Sequence, residues 1–184
     1  PREFYELYRD VEIPEWPNYR WPARVINRPH QVKIHPQAEA LTWQDWAEGI
    51  RHYYAFMTLI DQQIGRILDH LDAAGLRDNT VIVFTADHGE TLGTHGGLTD
   101  KGWHHFEEIQ RIPMIVWLPE RFRRNGAGSG RVAQQWASLA DVYPTILDYA
   151  GVSLDADGHG RSLRPVLEDP SADGRDRVFV EFNG

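Results

Sequence analysis

A run of β-branched and aromatic residues from Thr80 to Thr85, TVIVFT, most constrains the fold of this chain. A short continuous run of this kind is typical of a strand buried on both faces. The residues before it repeat apolar side chains at helical spacing, with a capping signal at Thr42 and Asp45, a candidate break at Gly65 and a stop at Gly75. A long amphipathic helix followed by a buried strand predicts an α/β fold with a mostly parallel sheet sandwiched by helices.

Three further segments extend this pattern. Residues 112–118, IPMIVWL, predict a second buried strand. Residues 86–103, between the two predicted strands, are a Gly-rich loop. A shorter helix is predicted from Pro144 to Tyr149, because proline is favoured in the first turn of a helix and Gly151 would end it.

Composition argues against several classes of function. The chain has 184 residues and a formal net charge of −8, which gives no electrostatic support for binding nucleic acid or a membrane surface. It has no cysteine, so disulfides, thiolate metal sites and cysteine nucleophiles are excluded within it. No stretch has the length and apolarity that predict membrane insertion.

Both ends of the sequence predict a piece of a longer protein, called the parent protein below. The chain has no initiating Met and does not begin with a signal peptide, and residues 178–182, VFVEF, read as a final strand without a partner after it. The compartment stays open: cytoplasmic, or periplasmic or secreted if a signal peptide precedes Pro1.

Residues 1–40 form a distinct segment, rich in Pro, Trp, Tyr and Arg. Its repeated prolines exclude a long helix, so we expect an extended segment laid over a larger body. Trp16, Tyr19 and Trp21 could stack on a sugar ring, but packing of aromatic rings against the main body is the commoner use.

Asp87 and His88 follow the first predicted strand directly, and Gly89 would let the backbone turn sharply after them. Ligands of open α/β sheets bind beyond the carboxyl ends of the strands. Carboxylate and neutral imidazole are both good ligands of divalent metals. The pair taken alone also fits a simple turn cap with a surface histidine.

The residues that follow favour the metal-ligand interpretation. Residues 87–119, DHGETLGTHGGLTDKGWHHFEEIQRIPMIVWLP, resemble the second signature region of the sulfatase family in the alkaline-phosphatase superfamily. The resemblance continues in family order through four more segments: YYAFMTLIDQQIGRILDHL (53–71), LADVYPTILDYAGV (139–152), GRSLRPVL (160–167) and VFVEFNG (178–184).

The resemblance implies roles for particular residues. Asp87 and His88 resemble the two late metal ligands of the family. Lys101 resembles the lysine that contacts the ester oxygens and offsets charge in the transition state. His104 and His105 are candidates to contact substrate or to protonate the leaving oxygen, with a structural role as the alternative for each.

Other residues of the region are expected to have structural roles. His95 is read as part of the loop structure, and the Gly96-Gly97 pair makes the loop one residue longer than the commonest family spacing. Glu107, Glu108 and Arg111 are expected to hold the loop on the domain through charge-assisted hydrogen bonds. Asp61 and Asp141 are family-like residues whose expected role is also structural.

The resemblance also divides the chain. Residues 41–152 are expected to be part of the α/β catalytic domain, with the metal-site strand and loop. Residues 153–184 are expected to lead toward a smaller C-terminal subdomain.

The nucleophile of the family is missing from this chain. Sulfatases have a (Cys/Ser)-x-Pro-x-Arg motif whose first residue becomes formylglycine, and no segment here fits it. The early acidic metal ligands of the family are also absent and would precede Pro1. We therefore expect the chain alone to be inactive.

The resemblance implies a parent protein that is a metal-dependent sulfatase, with formylglycine attacking a small-molecule or carbohydrate sulfate ester. Calcium is the commonest metal of the family, but the nitrogen of His88 suits manganese or zinc better. The alternatives are a phosphonate monoester or phosphodiester hydrolase of the same superfamily, and a non-catalytic or degenerate binding module.

Overall fold

The computed structural model describes residues 1–20, 41–98, 101, 105–123, 130–153, 158–169 and 171–181. The regular elements in these ranges are α1 (Arg2–Glu6), α2 (Trp43–Ala73), β1 (Ile82–Thr85), α3 (Thr94–Gly97), α4 (Glu107–Gln110), β2 (Met114–Trp117), α5 (Val142–Ala150) and α6 (Arg164–Glu168), with 3₁₀ turns at Arg77–Asn79, Glu120–Phe122 and Leu139–Asp141. The chain divides into a first unit, residues 1–71 and 88–112, and a second unit, residues 72–87 and 113–184.

The long helix α2 confirms the strongest sequence prediction. Thr42 donates from its backbone N–H and its hydroxyl to the Asp45 carboxylate, over 2.7 and 2.6 Å, and so fixes the start of the helix. The helix runs without interruption for 31 residues, so the candidate break at Gly65 is wrong. Gly75 has a left-handed backbone (φ 66°) two residues after the helix ends. Within the described residues, no helix has the length and apolarity of a membrane span.

The core of the first unit forms where the N-terminal segment meets α2. Ile13 is buried with Ala47 and Ile50, and Trp43 donates from its indole N–H to the carbonyl of Ile13 over 2.9 Å. Residues 2–6 of this segment form the one-turn helix α1 instead of extended backbone.

The aromatic rings of the N-terminal segment pack within the protein. The rings of Trp16 and Tyr19 lie edge-on to Trp43 at 5.6 and 5.1 Å between centroids. The expected packing against the body is therefore confirmed for these two rings, and Trp21 lies outside the described residues.

The second unit contains a two-stranded sheet, in which β1 pairs with β2. The strands are antiparallel, so the parallel arrangement predicted for the sheet does not apply to this pair. A parallel pair needs a crossover, usually a full helix, whereas the described helices between these strands have four residues each. Residues 178–181, predicted as part of a strand, are not in one.

One face of this sheet is open to solvent among the described residues. Phe84 and Ile115 are direct partners in the register and are 41% and 60% exposed. Residues directly opposite each other in an antiparallel pair have their side chains on the same face of the sheet, so Phe84 and Ile115 share one face. The prediction of burial on both faces is therefore wrong for β1 within this chain.

Asp141 organises the other part of the second unit. Its carboxylate is fully buried and accepts hydrogen bonds from the backbone N–H groups of Ser138 and Arg161, each over 2.9 Å, and from the guanidinium of Arg175. The structural role predicted for Asp141 is confirmed. The following helix α5 ends, as predicted, at Gly151, which has φ 70°.

Replacement of Thr42 by alanine is expected to lower the free energy of unfolding of the parent protein by about 1 kcal/mol, because the first turn of α2 loses its cap. Urea denaturation measures the change. Gln44→Ala, an exposed substitution in the same turn, is the matched control and should not destabilise the protein. Equal stability of the two variants would contradict the prediction.

Candidate active site

Asp87 lies just beyond the carboxyl end of β1. The strand ends at Thr85, whose hydroxyl donates to the carbonyl of Pro113 over 2.8 Å and fastens the end of β1 to the start of β2. Asp87 follows in a bend and is exposed. Its carboxylate is therefore carried by the backbone two residues after the end of a paired strand.

The ring of His88 is oriented by the neighbouring backbone. Its Nδ1 lies 2.7 Å from the carbonyl oxygen of Gly89. A carbonyl only accepts hydrogen bonds, so this contact requires a proton on Nδ1, and the lone pair of the neutral imidazole is then on Nε2. A backbone carbonyl that holds one ring nitrogen is the usual way in which a metal-binding histidine is oriented.

Gly89 is needed for close packing. Its N–H donates to the carbonyl of Ile109 over 2.7 Å, and a β-carbon at Gly89 would lie 1.8 Å from the carbonyl oxygen of Glu108. It is not among the glycines with positive φ, so the sharp turn expected from the sequence is not the reason for glycine here. The turn α4 therefore packs directly on the backbone that leaves His88.

The loop after Gly89 folds into a compact turn. Its left-handed residues, which are unusual for side chains other than glycine, are Leu92, Gly93, His95, Gly96 and Gly97. Gly93 sits on the indole of Trp46, where a β-carbon would lie 2.6 Å from Cδ2. Gly96 and Gly97 both have positive φ, a conformation that glycine adopts without strain. The glycine pair therefore fits this turn.

Four side chains pack together at the base of the loop that carries Lys101: those of Asn18, His95, Phe106 and Glu108. We call them the His95 cluster. The His95 ring stacks on Phe106 with 3.8 Å between centroids and 9° between planes. The Glu108 carboxylate lies 3.2 Å from His95 Nε2 and accepts from the Asn18 amide over 2.7 Å. His95 thus has the structural role that the sequence suggested.

The hydrogen bonds in the His95 cluster favour an ionised Glu108. Burial raises the pKa of the Glu108 carboxyl, but hydrogen bonds from its own backbone N–H, from His95 and from Asn18 outweigh burial and hold it below its usual value. The sequence prediction that Glu108 fastens the loop is therefore confirmed. Glu107 and Arg111 are exposed and pair with each other at 3.3 Å within the same turn.

Lys101 is exposed, as is His105, whose Nδ1 contacts the side-chain amide of Gln110. His104 lies outside the described residues. No sequence pattern indicates a role for Asn18, because its partners are distant along the chain.

The described donors fit part of a metal site. Asp87 offers oxygen and His88 offers nitrogen, a combination that suits divalent metals. Within the ranges that the structure describes, no three His, Asp or Glu side chains group to hold a metal. The two residues could therefore supply a share of the ligands of such a metal.

Comparison with known proteins identifies the family to which this chain belongs. The Sulfatase family model matches residues 2–152. The N-acetylglucosamine-6-O-sulfatase of Bacteroides thetaiotaomicron is 37% identical over 182 residues, which is 97% of this chain and 31% of that protein. The chain belongs to the sulfatase family, which in general implies a metal and a formylglycine.

Solved structures support the same fold. A protein in complex with its substrate D-glucosamine-2-N,6-O-disulfate has 36% sequence identity and a TM-score of 0.62, over 73% of this chain and 25% of that one. The phosphonate monoester hydrolase of Agrobacterium radiobacter has 32% identity and a TM-score of 0.64, over 73% and 26%. The α/β, alkaline-phosphatase-like fold is thus confirmed, and the chain spans about a third or less of these relatives.

Gly89→Ala is expected to destabilise the parent protein by about 1–3 kcal/mol, because the new β-carbon collides with the backbone of α4. Gly65→Ala is the matched control: Gly65 has open space within α2, so alanine should stabilise the helix by about 0.5–1 kcal/mol. Urea denaturation compares the two. A Gly89→Ala variant as stable as the wild type would contradict the close contact.

Proposed function

We propose that the parent protein is a metal-dependent sulfatase that hydrolyses a sulfate ester, and that this chain supplies half of its metal and anion site. The observation that carries the proposal is the Asp87-His88 pair at the end of β1, in a chain that belongs to the sulfatase family. The nucleophile would be a formylglycine outside this chain.

Asp87 and His88 would hold the metal through the carboxylate and Nε2. The contact between His88 Nδ1 and the Gly89 carbonyl supports this, because it leaves the lone pair on Nε2. A bound divalent metal would polarise the ester and neutralise charge on its oxygens. His88 favours manganese or zinc, whereas the commonest choice of the family, calcium, prefers oxygen ligands.

Lys101 would bind the ester oxygens and stabilise the charge that develops as the bond to the leaving group breaks. Its exposure supports this role, since an ammonium that meets a substrate must be accessible. His104 or His105 would protonate the leaving oxygen. The exposed ring of His105 is accessible in the same way.

The substrate class we propose is a sulfated sugar. One relative that matches nearly the whole chain is named for its action on N-acetylglucosamine-6-O-sulfate, and one solved neighbour holds a disulfated glucosamine. Within the described residues, Trp16 and Tyr19 pack on Trp43, so sugar stacking would use other rings.

A phosphonate monoester hydrolase is the second candidate. It is favoured by the similarity to the phosphonate hydrolase of Agrobacterium radiobacter and by an imidazole next to Asp87. Both reactions place a tetrahedral anion against the metal and Lys101, so these residues do not distinguish them. The ratio of kcat/KM for an aryl sulfate to that for a phosphonate monoester identifies the better substrate.

Asp87→Asn and His88→Ala are expected to lower the bound metal per protein and to reduce kcat/KM for an aryl sulfate. Lys101→Ala should keep the metal but lower kcat by about 10²–10³-fold, because it removes one stabilising charge. Asp69→Asn and His70→Ala, exposed substitutions on α2, are the matched controls. Elemental analysis and steady-state kinetics of the parent protein separate the two effects. Full metal content and activity in Asp87→Asn would contradict the assignment.

The isolated 184-residue chain is expected to show no turnover of an aryl sulfate, since it contains no nucleophile motif. The measurement is release of the coloured phenol, with the parent protein as positive control. Turnover by the purified chain that exceeds the blank would contradict the proposed division of the site.

A further inference from the structure

We propose that Asn18, in the N-terminal segment, is a positioning residue for the loop that carries Lys101 and His105, acting by linking His95 and Glu108. This inference rests on the proposed function. All the residues that the inference links belong to the first unit. The inference gives the N-terminal segment a part in the proposed site, which the composition of that segment does not indicate.

The base of the loop is closed by contacts between its two flanks. His95 precedes the loop, Phe106 and Glu108 follow it, and the stacked rings and the Glu108 carboxylate join the two sides. The backbone of His95 is left-handed, with φ 52° and ψ 43°. A residue other than glycine keeps such a conformation only where surrounding contacts impose it.

Asn18 supplies these contacts to both flanks. Its backbone carbonyl accepts from the N–H of His95 over 3.1 Å, and its side-chain amide donates to Glu108 Oε1 over 2.7 Å. The next carbonyl, that of Tyr19, accepts from the N–H of Gly96 over 3.0 Å. One short stretch of the N-terminal segment therefore holds the left-handed turn and the α4 turn together.

The amide of Asn18 is specific to this position. A carboxylate accepts hydrogen bonds only, so Glu108 needs donors, and the Asn18 amide and the His95 ring both provide them. An aspartate at position 18 has nearly the same shape but would place a second negative charge against Glu108. The repulsion between the two carboxylates would displace the two flanks of the loop and so move Lys101.

The link between the His95 cluster and catalysis is geometric. Lys101 must meet the ester oxygens within a fraction of an ångström, and a misplacement of about 1 Å can lower the rate about 10²-fold. The carboxyl side of the loop is also joined to the metal-ligand segment, because Gly89 bonds to Ile109, the residue after Glu108. A shift of the α4 turn would therefore move the backbone next to His88 as well as the loop that carries Lys101.

The test compares four forms of the full-length parent protein: wild type, Asn18→Asp, Glu108→Gln and the double variant Asn18→Asp/Glu108→Gln. The double variant exchanges the two groups, so one amide and one carboxylate face each other again. We expect Asn18→Asp to lower kcat for an aryl sulfate about 10–100-fold, with a smaller change in KM, and the double variant to recover much of the loss. Asn79→Asp, which adds the same charge at an exposed turn beside Arg121, is the control and should keep full activity.

Circular dichroism and thermal unfolding, run on each form, separate positioning from folding. A loss in Asn18→Asp that merely follows a loss of folded protein overturns the inference, as does a double variant no better than the worse single variant. If wild type is active and Asn18→Asp behaves like Asn79→Asp, the inference fails and the proposed function stands. If wild type turns over no sulfated sugar, aryl sulfate or phosphonate monoester, the proposed function fails and the inference fails with it.

Discussion

The close contact between Gly89 and the α4 turn is the constraint on which the candidate site depends. The hydrogen bond from Gly89 N–H to the carbonyl of Ile109, at 2.7 Å, brings the backbone after His88 against the returning end of the Gly-rich loop. The contact is possible only without a β-carbon, which would lie 1.8 Å from the Glu108 carbonyl oxygen. One glycine thus joins the segment with the predicted metal ligands to the segment after Lys101.

Carboxylates join distant segments in each of the two units. In the first unit, Glu108 accepts from Asn18 and His95. In the second, the buried Asp141 accepts from the backbone of Ser138 and Arg161 and from the side chain of Arg175. A carboxylate can accept several hydrogen bonds at once, and a buried one must be satisfied. Neither residue needs a role in catalysis to be essential to the geometry.

Local patterns in the sequence predicted the local elements well. The Thr42 cap, the helix α2 and the end of α5 at Gly151 depend on residues within a turn of one another, and the structure contains all three. The helix break expected at Gly65 was a local prediction that failed, but others that failed depended on neighbours that are distant in sequence. The exposure of Phe84 is one case, because composition shows that a strand is apolar but not which of its faces is covered.

The sequence by itself determined the order of the candidate functional residues along the chain: a strand, then Asp87 and His88, a Gly-rich loop and Lys101. This pattern is specific enough to indicate the sulfatase family. Only the tertiary structure decided the antiparallel pairing of β1 with β2 and the bond from Asn18 to Glu108, 90 residues away. The physical reason is that periodicity, caps and motifs encode interactions over a few residues. Strand pairing and contacts between distant side chains are fixed only when the whole chain packs.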